Sequence, residues 1–336
     1  MNTYQHGGDI VTFTKKVNCL VDEVIDLSSN INFVKPTIDV DFNSLNISAY
    51  PNYSKLYKSV ATHYRVKESE IELFNGGSSA IFSLFDKLKL KECYIYSPAY
   101  LEYKKAGNLF DYRVTNIDRF SNLDVEIKEN SLVVFVNPST PDGLYYNLDE
   151  MLKIWKAKKC TILVDESFIE FCSKLSLTVK LKEYDKLYIL KSMTKFFGSA
   201  GIRVGAILSS SENIAKLKKF EPLWKLSEFD SHYIQAVLKD KNFKQISDKQ
   251  NKIAKEYLLE TLKSCSFVEY IYPSDVNFLL VKLNSIKAKD FQKLLMPHKI
   301  MLRECSNFDG LGEYHLRIAV KSLESMKSFK EALSVC

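Results

Sequence analysis

Glycine is sparse in this chain. Only eleven occur in 336 residues, and ten of them fall in five short places: positions 7–8, 76–77, 143, 198–205 and 310–312. Glycine permits left-handed backbone and close approach of a ligand, so a chain that otherwise avoids it marks its special loops this way. Cysteine chemistry is also thin. The seven cysteines (Cys19, Cys93, Cys160, Cys172, Cys265, Cys305 and Cys336) are odd in number, include no Cys-x-x-Cys, and have spacings that suit neither zinc nor a disulfide framework. No metal is expected, and a reducing cytoplasm fits. No apolar run approaches the ~18 residues of a membrane span, and residues 1–9 carry no apolar signal segment. A basic tail is missing too: 47 basic against 41 acidic residues leave a net charge of +6, spread along the chain. Lysine-rich stretches such as 212–219 read as solvated helix faces, so neither nucleic acid nor membrane is an expected partner.

With 46% hydrophobic and 26% charged residues, the composition is that of an ordinary globular protein, long enough for a large domain and a smaller one. Short β-branched or aromatic runs at 93–97, 132–136, 161–165, 187–191 and 204–208 alternate with amphipathic stretches such as 148–159. Near-continuous apolar strands alternating with helices predict an α/β fold, a three-layer sandwich around a mostly parallel sheet. The pattern changes from about residue 234. A long charged helical stretch (239–264), a strand candidate (276–282) and a last helix (323–335) predict a smaller α+β domain. The expected division is an irregular N-terminal segment (1–45) packing with the C-terminal part, a large domain (46–234) and a small domain (235–336).

Three segments carry candidate chemistry. Phe74-Asn-Gly-Gly-Ser-Ser79 precedes 80–90, where Ile81, Phe82, Leu84, Phe85 and Leu88 fall at helical spacing. A Gly-Gly-Ser-Ser turn opening a helix offers backbone N–H groups and hydroxyls to a dianion. The plainer reading is a loop with Ser78 as helix cap. Asp165 ends the run Thr161-Ile-Leu-Val-Asp165, which places a carboxylate at the carboxyl end of the sheet, where open α/β sheets bind ligands. It suits a protonated ring nitrogen, or simply a strand-end turn. In the third segment Lys195 follows Ser192 and Thr194, with Arg203 eight residues on. A lysine whose surroundings depress its pKa becomes a Schiff-base nucleophile. Hydroxyls with an arginine beside them suit a phosphate, and a basic surface loop is the alternative.

In this order, these segments resemble fold-type-I pyridoxal-phosphate enzymes of the histidinol-phosphate aminotransferase branch. Asn137-Pro-Ser-Thr-Pro-Asp-Gly143 is similar to that branch's Asn-Pro-x-Asn-Pro-Thr-Gly, and Pro98-Ala-Tyr-Leu-Glu-Tyr103 to its aromatic segment after the second strand. Ser192-x-Thr-Lys195 with Arg203 resembles its lysine motif. The correspondence covers nearly the whole chain. Within the branch the nearest likeness is to the L-threonine-O-3-phosphate decarboxylases. It is carried by His6-Gly-Gly-Asp-Ile10, Asp26-Leu-Ser-Ser-Asn-Ile-Asn32, and the stretches 302–311 and 315–322, in which Arg303 and Arg317 stand fourteen apart.

The resemblance implies an aminotransferase class I/II-like large domain, a pyridoxal 5'-phosphate cofactor and a homodimer. Lys195 would be the Schiff-base lysine, Asp165 the partner of the pyridinium nitrogen and Tyr100 the ring-stacking residue. Gly77, Ser78, Ser192, Thr194 and Arg203 would bind the cofactor phosphate, joined by Tyr50 from the partner subunit. Arg317 would grip the substrate α-carboxylate. Arg303 would bind the substrate phosphate, helped by His6, Gly7 and Asn30. Two departures stand out: Thr140 occupies the place of the family asparagine that contacts the ring oxygen, and Phe168 that of a common tyrosine. The implied activity is decarboxylation of O-phospho-L-threonine or O-phospho-L-serine to carbon dioxide and an amino-alcohol phosphate. Phosphothreonine would point to a cobalamin side-chain route, and phosphoserine to phosphoethanolamine. The alternatives are histidinol-phosphate or related transamination, and a binding protein that kept the fold without activity.

Overall fold

The computed structural model of the protein describes residues 6–335. The chain opens with α1 (Ile10–Val17), whose first turn is capped by the Asp9 carboxylate, and the short strand β1 (Ile25–Asp26). There follow α2 (Ser54–Tyr64), β2 (Ile71–Asn75), α3 (Gly76–Leu88), β3 (Glu92–Ser97), α4 (Leu101–Leu109), β4 (Arg113–Asp118) and β5 (Leu132–Val136). Next come α5 (Asp149–Ala157), β6 (Thr161–Asp165), β7 (Leu187–Ser192), β8 (Val204–Leu208), α6 (Ser211–Lys218) and α7 (Glu228–Val237). Strands β2 to β8 form one seven-stranded sheet in the order β2-β8-β7-β6-β5-β3-β4. All its pairings are parallel except those of β8 with β2 and β7.

β5 and β6, Leu-Val-Val-Phe-Val and Thr-Ile-Leu-Val-Asp, are buried at every position. Period-two alternation sends their side chains into separate cores. Val133 and Phe135 pack with Leu56 of α2, Trp155 of α5 and Ile234 of α7. Leu132 and Val134 pack on the other face with Leu84 of α3, Tyr103 of α4 and Ile214 of α6. Helices on both faces of one sheet make the three layers.

The remaining elements are α8 (Phe243–Lys263), β9 (Val268–Ile271), β10 (Phe278–Leu283), α9 (Ala288–Leu295), β11 (Ile300–Met301), β12 (Arg303–Glu304), β13 (His315–Ala319) and α10 (Leu323–Ser334). Four of them form an antiparallel sheet in the order β12-β13-β10-β9. Leu258, Leu262, Phe291 and Phe329 build a third core against it. β1 pairs parallel with β11, and Leu27 enters the same core. The stretch read as helical from residue 239 starts later: the Asp240 carboxylate accepts from the N–H groups of Asn242 and Phe243 and sets off α8 there. Within 1–45 the structure adds α1, which the pattern did not reveal. Among the described residues no helix is long and apolar enough to cross a membrane.

One edge of the large sheet gathers the chemistry. The carboxyl ends of β3, β5, β6 and β7 reach it, together with the starts of α3 and of the reversed strand β8. Ligands of open α/β sheets bind at this edge.

Candidate active site

A cavity of about 380 Å³ opens at that edge. It is lined by His6, Gly7, Asn30, Gly77, Ser78, Tyr100, Thr140, Asp165, Phe168, Ser192, Thr194, Lys195, Arg203, Arg303 and Arg317, so fifteen residues singled out in the sequence meet in one space. Tyr50 alone stays outside. It is 75% exposed and stacks on Trp224 with ring centroids 4.2 Å apart.

Lys195 and Asp165 face the same cavity from neighbouring strand ends. Lys195 Nζ donates to Ser192 Oγ at 3.4 Å and lies 5.3 Å from the centre of the Phe168 ring. Burial pushes its amine below the ordinary lysine range; Arg203 and Arg317 push the same way, and Asp165 opposes them. A larger fraction of a nucleophilic neutral amine follows. The Asp165 carboxylate is buried and held from two sides, by Tyr103 Oη donating at 2.7 Å and the Ser167 N–H donating at 2.8 Å.

The start of α3 forms the second part of the site. The Gly76–Gly77 pair begins the helix directly rather than preceding it as a loop, and Ser78 does not cap it; Ser78 Oγ lies 3.2 Å from Tyr100 Oη. The first N–H groups of a helix have no intrahelical acceptor and favour an anion. Ser192 and Thr194, whose hydroxyls are 2.8 Å apart, and Arg203 stand beside them. The crowding here admits only glycine. A Cβ on Gly76, where φ is +79°, would lie 2.5 Å from Arg203 Nη2, and one on Gly205 would lie 2.6 Å from the Gly77 nitrogen.

The opposite wall is basic. Arg303 and Arg317 are register partners on β12 and β13, and both are buried. Arg317 donates to Ser28 O at 3.0 Å and to Thr140 Oγ1 at 3.3 Å, and its Nε has no partner. Burial pushes its guanidinium down to about 10, as expected of a cation buried without a paired anion. Burial likewise lowers Arg303, which donates to Asn307 Oδ1 at 2.8 Å. Neither amide atom of the buried Asn30 side chain has a hydrogen-bond partner. Buried polar groups are nearly always satisfied, so orphans lining a cavity point to a polar ligand.

Several contributors escaped the sequence reading. Tyr103 follows Tyr100 by three residues, so helical spacing placed it on the same face as a legible signal. The Arg119–Asp142 ion pair, 2.5 Å apart and buried, had no such signal. Arg119 also donates to Pro98 O at 3.0 Å, so it ties together the two loops that carry Tyr100 and Thr140. Behind the site, Lys191 pairs with Glu166, the neighbour of Asp165, and both side chains are buried.

The sequence matches the aminotransferase class I and II family over residues 22–334, and the chain belongs to that family. Its cofactor is pyridoxal phosphate. The residues fit this group: an anion cradle at α3 for its phosphate, a carboxylate, a lysine of lowered pKa and an aromatic ring share one cavity. A putative threonine-phosphate decarboxylase of Caldanaerobacter subterraneus is 28% identical over 99% of this chain and 94% of its own length. An L-serine phosphate decarboxylase of Campylobacter jejuni is 30% identical over 82% of this chain and 76% of its own length. The bifunctional adenosylcobalamin biosynthesis protein CobDQ of Leptospira interrogans is 29% identical over 99% of this chain, which spans only 41% of that longer protein. Among solved structures, the histidinol-phosphate aminotransferase of Clostridium acetobutylicum superimposes with a TM-score of 0.82 at 29% identity, over 92% of this chain and 98% of that one.

Proposed function

We propose that the protein is a decarboxylase of an O-phospho-L-amino acid, phosphoserine or phosphothreonine, releasing carbon dioxide and an amino-alcohol phosphate. The observation that carries this reading is the charge inventory of the cavity: Arg203, Arg303 and Arg317 line it, with Asp165 the one acidic residue in its lining among the described residues. Three guanidiniums suit three anionic groups, namely the cofactor phosphate, the α-carboxylate and a second phosphate.

Pyridoxal phosphate supplies an electron sink for the electron pair left when a bond to Cα breaks. In this reading Asp165 would sit against the ring nitrogen, and Lys195 would hold the cofactor and be the amine placed to carry a proton at Cα. Tyr100, Thr140 and Phe168, which line the same cavity, would contact the cofactor ring. Gly77, Ser78, Ser192, Thr194 and Arg203 would hold the cofactor phosphate. Arg317 orients the carboxylate. Arg303, His6, Gly7 and Asn30 hold the substrate phosphate. A second copy of the chain is the partner we assign to the exposed apolar patch of Ile47, Tyr50, Leu223 and Trp224. The patch adjoins the cradle, since Asn75 Nδ2 donates to Lys225 O at 3.4 Å just before α3. Tyr50 of the second copy would then reach the first copy's cofactor phosphate. The divisions 1–45, 46–234 and 235–336 are proposed as the structural units of each copy.

A second reading, histidinol-phosphate transamination, draws support from the likeness to the Clostridium acetobutylicum structure. One experiment separates the two. Purified enzyme is given phosphoserine, phosphothreonine or histidinol phosphate, each with 2-oxoglutarate. Carbon dioxide without glutamate supports the decarboxylase. Glutamate from histidinol phosphate without carbon dioxide from either phospho-amino acid sinks it.

A further inference from the structure

Helix α4 sends three consecutive side chains to three different parts of the site. Glu102 meets His6, with Oε1 3.3 Å from Nε2. Tyr103 donates to Asp165. Lys104 pairs with Asp309 at 2.7 Å, next to the cavity residue Phe308. The helix is thus tied to Asp165 while its neighbouring residues meet His6, which lines the cavity, and Asp309, next to the lining residue Phe308. The Glu102 side chain is 14% exposed and that of His6 44%, so the carboxylate is the fixed member of their pair and the imidazole the accessible one.

We propose that Glu102 is a positioning residue that turns His6 into a reader of the substrate's phosphate dianion. This rests on the reading that the substrate carries a phosphate. Nε2 of His6 lies at ion-pair distance from Glu102 and His6 lines the cavity, so in this proposal Nδ1 is the ring nitrogen offered to the ligand. The hydrogen bond made by one ring nitrogen decides what the other offers. A neutral ring with its proton on Nε2 presents only an acceptor at Nδ1, which repels a dianion. The protonated ring keeps Nε2–H on Glu102 and presents Nδ1–H to the cavity. Dianion binding therefore requires the imidazolium and takes up one proton where the ring is otherwise neutral. The charged and titratable groups around His6 are Glu102 and Lys105 of α4, the Tyr100 ring 5.6 Å away, and, lining the same cavity, Arg203, Arg303, Arg317, Lys195 and Asp165.

Sulfate is the suitable probe, because it stays dianionic across the neutral pH range. Its competitive Ki is measured on the cofactor-loaded enzyme against whichever phospho-amino acid is turned over. The expected result is that Glu102→Gln raises KM and the sulfate Ki about tenfold while kcat falls no more than about twofold, a loss of uniform binding. Wild-type Ki climbs as pH rises through the imidazole range, and His6→Asn removes that dependence. Glu102→Asp, with its visible cofactor absorbance checked, keeps part of the affinity and guards against a folding defect. A wild-type Ki in Glu102→Gln, or equal losses in kcat and KM, overturns the role of Glu102. A sulfate Ki that is independent of pH in the wild type overturns the role of His6. If sulfate does not compete in the wild type at all, the phosphate reading of the whole site falls, and this inference with it.

Discussion

At the scale of single residues, Asp165 and Lys195 depend on neighbours that only the folded chain supplies. A carboxylate proposed to meet a ring nitrogen must be correctly aimed, and the two donors on Asp165 fix its direction. Removing the hydroxyl in Tyr103→Phe deletes a hydrogen bond to a charged group, worth roughly 1.5–3 kcal/mol. Cofactor affinity, followed by absorbance titration, is expected to fall about tenfold or more, with little change in the melting temperature of the apoprotein. Unchanged affinity would mean that Tyr103 only fills space. The residues that were legible in the sequence are those whose chemistry is unusual for their place: Asp165 at a strand end, Lys195 among hydroxyls, Arg317 inside an apolar strand. Glu102, Arg119 and Glu166 were illegible because a charged residue on an amphipathic helix or loop looks alike whether it meets solvent or a partner far along the chain.

At the scale of elements, the junction of β2, α3 and β8 is the tightest part of the site. Gly205 lies in β8 against the Gly76–Gly77 backbone, so an added methyl there meets backbone atoms that cannot rotate away. Gly205→Ala is expected to cost about 1–3 kcal/mol and to loosen the cofactor phosphate cradle. Gly201→Ala, which would meet nothing within 4 Å, should stay within about 0.5 kcal/mol of wild type. Urea unfolding of the two variants checks this, and equal stabilities would contradict the crowding argument. The same elements show what a local pattern can reveal. β5 and β6 announced themselves because burial on both faces demands an unbroken apolar run. β4 did not, because Arg-Val-Thr-Asn-Ile-Asp is largely exposed at the sheet edge and its strand state comes from pairing with β3. β2, Ile-Glu-Leu-Phe-Asn, breaks its apolar run with Glu72, a buried carboxylate paired with Lys225 at 2.6 Å.

At the scale of the whole molecule, two half-buried lysines pin segments beside the cavity. Lys321 donates to Ile31 O at 2.8 Å, and Lys255 donates to Ser274 O and Val276 O at 2.7 Å each. Burial pushes both amines down to about 8 from an ordinary 10.5, with Asp26 opposing for Lys321 and Asp275 for Lys255. Between about pH 8 and 10.5 the unfolded chain therefore holds protons that the fold has released, and stability gains from these groups as pH rises through that window. Below pH 8 both states are charged and the cost of burying the charge is carried in full. Lys321→Met lacks one such group. Across that window wild type should gain about 1 kcal/mol or more relative to the variant, read from urea unfolding at both ends. A constant difference would show that Lys321 is not held back from protonation by the fold.

The proposed chemistry requires one covalent attachment between Lys195 and the cofactor. Borohydride reduction of the loaded enzyme, followed by peptide mapping with mass spectrometry, locates that attachment directly. The predicted result is a single pyridoxyl-modified peptide with the modification on Lys195, absent from Lys195→Ala. Modification of another lysine, such as the buried Lys191 or the half-buried Lys321, or no stable adduct in a fully loaded enzyme, would contradict it.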